Sequence, residues 1–324
     1  MSSYFWVTVA LGAVAPASAV ATAPRDVERL DRGLVATPAK GGGWLVSWRL
    51  LSSDPRGIGF DVYRDGRKIT PHPVTDATAF VDPQGSAKAR YTLAIANGAA
   101  RGKPALMAPD GYLAIPLTPP PGGTTPDGEA YSYTANDAGA GDLDGDGRYE
   151  IVLKWDPTTS HDNSQAGYTG DVFVDAYTLD GRRLWRIDLG KNIRAGAHYT
   201  QFQIADYDGD GRAEIAMKTA DGTVDGTGTV IGDATADWRE HGGEVPQPDR
   251  TGAKLLPDGT KVAPLVGRIL KGPEYLTVFD GRSGRALDTK PYDPPRYPGG
   301  NPTFEQLRDT WGDGYANRAD RFLA

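Results

Sequence analysis

Two short stretches carry chemistry that residue type and spacing make legible. Residues 142–150 read DLDGDGRYE and residues 206–214 read DYDGDGRAE, so the pattern D-x-D-G-D-G-x-x-E is written twice. Carboxylates fall at Asp142, Asp144, Asp146 and Glu150, and again at Asp206, Asp208, Asp210 and Glu214. A hard cation such as Ca²⁺ takes about six to eight oxygens, and this spacing lets a tightly curled backbone aim three side chains at one point. The glycines between the aspartates permit the curl. The main-chain carbonyls of Arg148 and Arg212, at the seventh position, can each add an oxygen. An EF-hand carries its bidentate Glu later and lies between helices; here IVLKW and IAMKT follow, so each loop feeds a strand. Mg²⁺ fits less well because it keeps several of its waters. Two solvated acidic turns without an ion are the plain alternative, opposed by the repulsion among four crowded carboxylates. Four carboxylates outweigh one divalent cation, so a filled loop stays about two charges negative and attracts an anionic ligand poorly. The ions are therefore expected to be structural.

Elements must hold these loops, and composition says which kind. The 324 residues are 39% hydrophobic and 24% charged, ordinary for a globular chain long enough for two domains. Forty-two Gly and 25 Pro, with short apolar runs between them, favour many tight turns joining short strands, hence an all-β protein. A net charge of −7 without a basic run argues against nucleic acid or an anionic membrane as partner. The absence of Cys excludes a disulfide framework and Cys-based zinc sites. Near the N-terminus, YFWVTVALGAVAPASAVATA ends in Ala17-Ser18-Ala19 and Ala21-Thr22-Ala23, so residues 1–23 are read as a signal peptide and the protein as secreted. The usual basic flank is missing, and a membrane anchor or a disordered leader is the alternative.

Between 25 and 117 the chain has strand periodicity. Trp44, Val46, Trp48 and Leu50 alternate, Phe60 and Val62 follow, then Tyr91, Leu93 and Ile95, and Asp65-Gly66 marks a hairpin. This region resembles a fibronectin III-like β-sandwich. Residues 118–130 lie in a Pro- and Gly-rich stretch read as a stiff linker. Beyond it, YTLDGRRLWRI at 177–187 and TVFDGRSGRAL at 277–287 read as outer hairpins of small antiparallel sheets. With the duplicated loop they suggest radial repetition, as in a β-propeller. Residues 232–272 interrupt the pattern with a polar, Pro-rich insertion, read as a surface loop, with a lid or substrate-contacting loop as the alternative.

The segment from YSYTANDAGAGDLDGDGRYEIVLKW through IADYDGDGRAEIAMKTADGTVDGTG, residues 131–228, resembles the bacterial rhamnogalacturonan lyases of polysaccharide lyase family 11. The resemblance resumes at GPEYLTVFDGRSG, residues 272–284, and at WGDGYANRADRFLA, residues 311–324. It implies an eight-bladed, calcium-binding β-propeller that cleaves the rhamnogalacturonan I backbone of pectin between rhamnose and galacturonate by β-elimination. It also implies calcium ligation by Asp137, Asp142, Asp144, Asp146, Arg148 and Glu150, and by Asp206, Asp208, Asp210, Arg212 and Glu214, with substrate contacts by Asn136 and Asp156. Cap or turn duty is the alternative for the last two. The insertion at 244–265 departs from the family pattern. Family members run longer, so residues 131–324 are expected to be part of a propeller and the chain the N-terminal part of a lyase, a monomer acting on an acidic cell-wall polysaccharide.

Elimination from a uronate needs a base for the C5 proton and positive charge near the carboxylate. Lys154 and Lys218 end matching strands, one per repeat, and either could neutralise a galacturonate; repeat packing is the alternative. His198, near Arg194 and Tyr199, is a candidate base or a hydrogen-bonded structural residue, and His161 lies in a polar loop that could face a cleft. No base is singled out. Other readings are a calcium-stabilised carbohydrate-binding or adhesion module without catalysis, and a structural extracellular repeat protein.

Overall fold

A computed structural model describes residues 29–321 apart from 99, 197 and 247–253. The expected signal peptide and the apolar end at 322–324 lie outside the described residues. Among the described residues no helix is long and apolar enough to cross a membrane.

The N-terminal part comprises β1 (Val35–Pro38), β2 (Trp44–Ser47), β3 (Phe60–Arg64), β4 (Arg67–Lys68), β5 (Ala79–Asp82), β6 (Tyr91–Ile95) and β7 (Leu106–Met107). They form two sheets, β5-β2-β1-β7 and β4-β3-β6, with β1 and β7 parallel. Ala36, Val46, Phe60, Val62, Tyr91 and Leu93 meet in one core between them, as a period of two requires when one face of each strand is buried. Asp65 and Gly66 both take positive φ, 50° and 83°, the conformation that a two-residue turn imposes between twisted strands. The alternation stops earlier than the sequence suggests: Leu50 is outside β2 and exposed. The stretch read as linker contains a small hairpin of β8 (Gly123–Thr124) and β9 (Ala130–Tyr131), closed by the Thr125 hydroxyl on Asp127.

The remainder is built on two matching four-strand units. The first is β10 (Tyr133–Gly141), β11 (Glu150–Pro157), β12 (Phe173–Tyr177) and β13 (Arg183–Asp188), in that spatial order and antiparallel. The second begins with β14 (Phe202–Ala205) and β15 (Glu214–Ala220). Next along the chain come β16 (Thr223–Val224) and β17 (Val230–Ile231), which extend the first sheet beyond β13. Within the insertion, β18 (Glu244–Pro246), β19 (Lys254–Leu255) and β20 (Lys261–Pro264) make a three-stranded sheet, so this segment is more ordered than a plain loop. The second unit is completed by β21 (Glu274–Phe279) and β22 (Ala286–Pro291). In each unit an acidic loop joins the first two strands and an Asp-Gly turn joins the last two.

Leu143, Val152, Val174, Trp185, Ile215 and Phe279 belong to one core shared by both units. The Trp185 indole of the first unit donates to Gly281 O of the second (2.7 Å), and Ala213 N–H of the second donates to Asp142 O of the first (2.9 Å), so the units meet through backbone as well as side chains. Two helices follow, α1 (Phe304–Trp311) and α2 (Asn317–Arg321). Neither was expected from the all-β reading; the first is capped at both ends, by a Thr303–Gln306 capping box and by Gly312 in the left-handed region.

Candidate functional site

The two acidic loops fold alike. Asp142 accepts the N–H groups of Gly145 (2.9 Å) and Gly147 (2.8 Å), and Asp206 accepts those of Gly209 (2.7 Å) and Gly211 (2.9 Å). Asp144 accepts from Asp146 N–H and Asp208 from Asp210 N–H, while Asp146 and Asp210 accept the N–H of Arg148 and Arg212. This curl brings one carboxylate oxygen from each of Asp142, Asp144 and Asp146 within 4.8 Å of one another, and likewise for Asp206, Asp208 and Asp210. Oxygens about 2.3–2.6 Å from a common Ca²⁺ span that range, so the donor sets fit the ion. Glu150 and Glu214 stand outside these triplets; each accepts a loop N–H, from Leu143 (2.9 Å) and Tyr207 (2.9 Å). Burial pushes the Glu150 carboxyl up to about 7 and raises Glu214 and Asp142 as well. The Arg148 side chain reaches Asp31 (3.7 Å) and that of Arg212 pairs with Asp210. The loops are neighbours, joined by Ala213 N–H to Asp142 O (2.9 Å).

Asp137 stands apart from both triplets. It lies on β10 five residues before Asp142, on the order of 15 Å along an extended strand. Its carboxylate pairs with Lys154 Nζ (3.0 Å). Any ion it holds is a separate one.

That position opens the second centre, at the opposite ends of β10 and β11. Register shifts between Ala135 and Ala138, so Asn136 and Asp137 sit in a bulge, a device that re-aims side chains. Asp156 pairs across from Thr134 beside it. The Asp156 carboxyl is raised by burial, partly offset by Lys154, and its Oδ1 is buried without a hydrogen-bond partner among the described residues. Lys154 is fully buried and also donates to Tyr199 O (3.2 Å). A groove of about 500 Å³, bordered by Asp137, Gly139, Gln201 and Phe202, runs between β10 and β14.

The loops around this rim are knitted by contacts between residues far apart in the chain. Arg194 is buried and donates to the carbonyls of His161 (3.1 Å), Gln165 (2.8 Å) and Gly167 (2.9 Å), and to that of Gly267 at the end of the insertion. Burial brings its pKa down to about 10. His161 faces two carbonyls, Thr159 O (2.7 Å) and Gly167 O (3.3 Å), and its pKa is lowered by burial and by Arg194. Its ring is therefore committed within the loop. The Tyr199 hydroxyl donates to Asn317 Oδ1 (2.8 Å) and accepts from Asn163 N–H (2.8 Å). His198 differs: its side chain is 57% exposed, and Nδ1 lies 3.0 Å from Oδ2 of Asp162. Asp162 also accepts from Arg321 (2.9 Å) and was not among the expected site residues.

Lys218 sits at the matching end of the second unit, buried, 3.1 Å from Glu274 and 4.6 Å from the centre of the Tyr292 ring. Arg296 binds both Glu274 (2.7 Å) and Asp320 (2.6 Å). Arg296 Nε and Thr200 Oγ1 are buried without partners among the described residues, beside a cavity of about 20 Å³ that suits one water.

Fold and site together define a nearly all-β protein with duplicated acidic loops, whose oxygen sets fit a cation, at one end of its paired sheets and a polar centre around Asn136, Asp137 and Asp156 at the other. Residues 112–324 match the C-terminal domain of rhamnogalacturonan lyase family 11, and residues 25–108 match the beta-sheet domain of rhamnogalacturonan I lyases. The chain belongs to rhamnogalacturonan lyase family 11. It is 52% identical over 305 residues to rhamnogalacturonan endolyase YesW and 50% identical over 303 residues to rhamnogalacturonan exolyase YesX, both of Bacillus subtilis. Each match covers 93% of this chain but 44% of the relative, so the chain spans less than half the length of these curated relatives. Among solved structures it resembles exotype YesX, with a TM-score of 0.75 at 50% identity over 91% of this chain and 44% of that one. It also resembles a rhamnogalacturonan lyase PL11 of Bacillus licheniformis, with a TM-score of 0.75 at 50% identity over 92% of this chain and 46% of that one.

Proposed function

We propose that the protein is a secreted, calcium-dependent lyase that cleaves the rhamnogalacturonan I backbone between rhamnose and galacturonate by β-elimination. The observation that carries this reading is the 50–52% identity to an endolyase and an exolyase over 93% of the chain. In the same reading the two four-strand units are consecutive blades of a β-propeller, and the N-terminal sheets are a fibronectin III-like sandwich. The loops at 142–150 and 206–214 would each hold a structural Ca²⁺ through their three aspartates, supplying charge that lets the curled backbone persist. Asn136 and Asp156, at and beside the bulge, would contact sugar hydroxyls.

The test is incubation of the folded protein with rhamnogalacturonan I and calcium, following ultraviolet absorbance of the unsaturated uronate. Absence of that product would remove the enzyme reading. A calcium-stabilised carbohydrate-binding module without catalysis is the second reading. Retention of the polysaccharide without product would select it.

A further inference from the structure

Three cations or bases were candidates at the cleft, and their surroundings separate them. Lys154 is fully buried and shared between Asp137 and Tyr199 O, and Lys218 is buried against Glu274 and Tyr292. An amine kept protonated by a carboxylate has no lone pair to accept a proton, whether that partner is exposed, as Asp137 is, or largely buried, as Glu274 is. His198 has the opposite environment. Its Nδ1 is anchored on Asp162, which is itself buried, and among the described residues no other group bonds the ring. Asp162 is fixed in turn: Arg321 on α2 donates to the same Oδ2, and the backbone around it is held by Arg194. An imidazole whose Nδ1–H is pinned by a carboxylate exposes Nε2 as the acceptor nitrogen. The dyad is linked to the groove through neighbouring residues. The residue after His198, Tyr199, accepts from Lys154, Lys154 pairs with Asp137, and Asp137 and Gln201 border the groove.

We propose that His198, oriented by Asp162, removes the C5 proton of a galacturonate residue; this rests on the lyase reading above. In this step Nε2 takes the proton and the C5–H electron pair becomes the C4=C5 double bond. The C4–O bond breaks and its pair leaves with the rhamnose-side oxygen. That oxygen takes a proton from solvent, and the imidazolium returns its own to solvent. Asp162 is a positioning residue: it fixes the tautomer and favours the imidazolium formed in the step, as carboxylate-held histidines do.

The experiment measures initial rates on rhamnogalacturonan I for the wild type, His198→Gln, His198→Ala with added imidazole, and Asp162→Asn, all in calcium. His198→Gln is expected to lower kcat by about 10²–10⁴-fold with KM little changed, and imidazole should restore part of the rate to His198→Ala. Asp162→Asn should lower kcat about 10–100-fold. Nitrogen-15 NMR of labelled histidine should show the Nδ1–H tautomer in the wild type and its loss in Asp162→Asn. An active wild type with unchanged kcat in His198→Gln overturns the base assignment and leaves the lyase reading standing. A wild-type ring with its proton on Nε2 overturns the role of Asp162. A folded, inactive wild type overturns both readings together.

Discussion

At the scale of single residues, the buried ion network of Glu274, Arg296 and Lys218 ties stability to pH. Burial works against the Glu274 carboxylate, but Arg296 and Lys218 outweigh it and hold its pKa down to about 2. A depressed carboxylate adds stability that is fully present above its unfolded value, 4.5, and is lost as pH falls toward about 2. Glu274→Gln leaves two cations without their shared partner, an exchange expected to cost about 3–5 kcal/mol. Urea unfolding at neutral pH measures the loss, and repeating it down the acid range should show a flatter pH dependence in the variant. This network was not legible in the sequence. Its members are distant in the chain, Glu274 from Arg296 by 22 residues and Asp162 from His198 by 36, and no local spacing couples them. The aspartate triplets were legible because their geometry is set within one loop. His161 and the lysines were visible as reactive types, but only the surrounding carbonyls and carboxylates reveal that they are already engaged.

At the scale of elements, hairpins were predictable from their turns. Asp65-Gly66 and the two later Asp-Gly turns close strands where the alternation places them. The bulge that presents Asn136 was not, because a register shift depends on the partner strand. The small sheet in the insertion escaped because strands of two to four residues are too short to show a period. Each acidic loop is an independent element, and calcium should bind each one. Calorimetric titration is expected to give two sites per chain. Asp208→Asn keeps the acceptor oxygen that the Asp210 N–H uses but removes a ligand charge, so it should weaken one site at least about tenfold while the other is untouched. Calcium at about 100 times its dissociation constant should stabilise the fold by about 2.7 kcal/mol per site, read as a raised Tm that chelation reverses.

At the scale of the whole molecule, the N-terminal sheets and the first acidic loop are one contact. Asp31 N–H donates to Gly147 O (2.7 Å), Arg49 lies 4.4 Å from the centre of the Tyr149 ring, and Lys103 reaches both the carbonyl of Asp146 and its carboxylate (3.3 Å). Around them Leu34, Leu51, Leu106 and Ile151 line an apolar cavity of about 420 Å³. Among the described residues no ion pair ties the N-terminal part to the second loop's carboxylates; Asp210 pairs with Arg212 of its own loop. Lys103 thus places a positive charge from the N-terminal part beside an oxygen set that fits a cation. Two consequences with opposite signs follow. Removing the charge in Lys103→Ala should tighten calcium at the first loop, because a cation no longer competes for Asp146. It should also loosen the contact between the two parts of the chain. The Lys103 side chain is 40% exposed, so solvent screens the pair and the effect is expected to stay within about 0.2–1 kcal/mol, or up to about fivefold in affinity. Titration of the variant measures it against the second loop as an internal reference. The reading is sound if the first-loop affinity rises while the second is constant, and it fails if both move together.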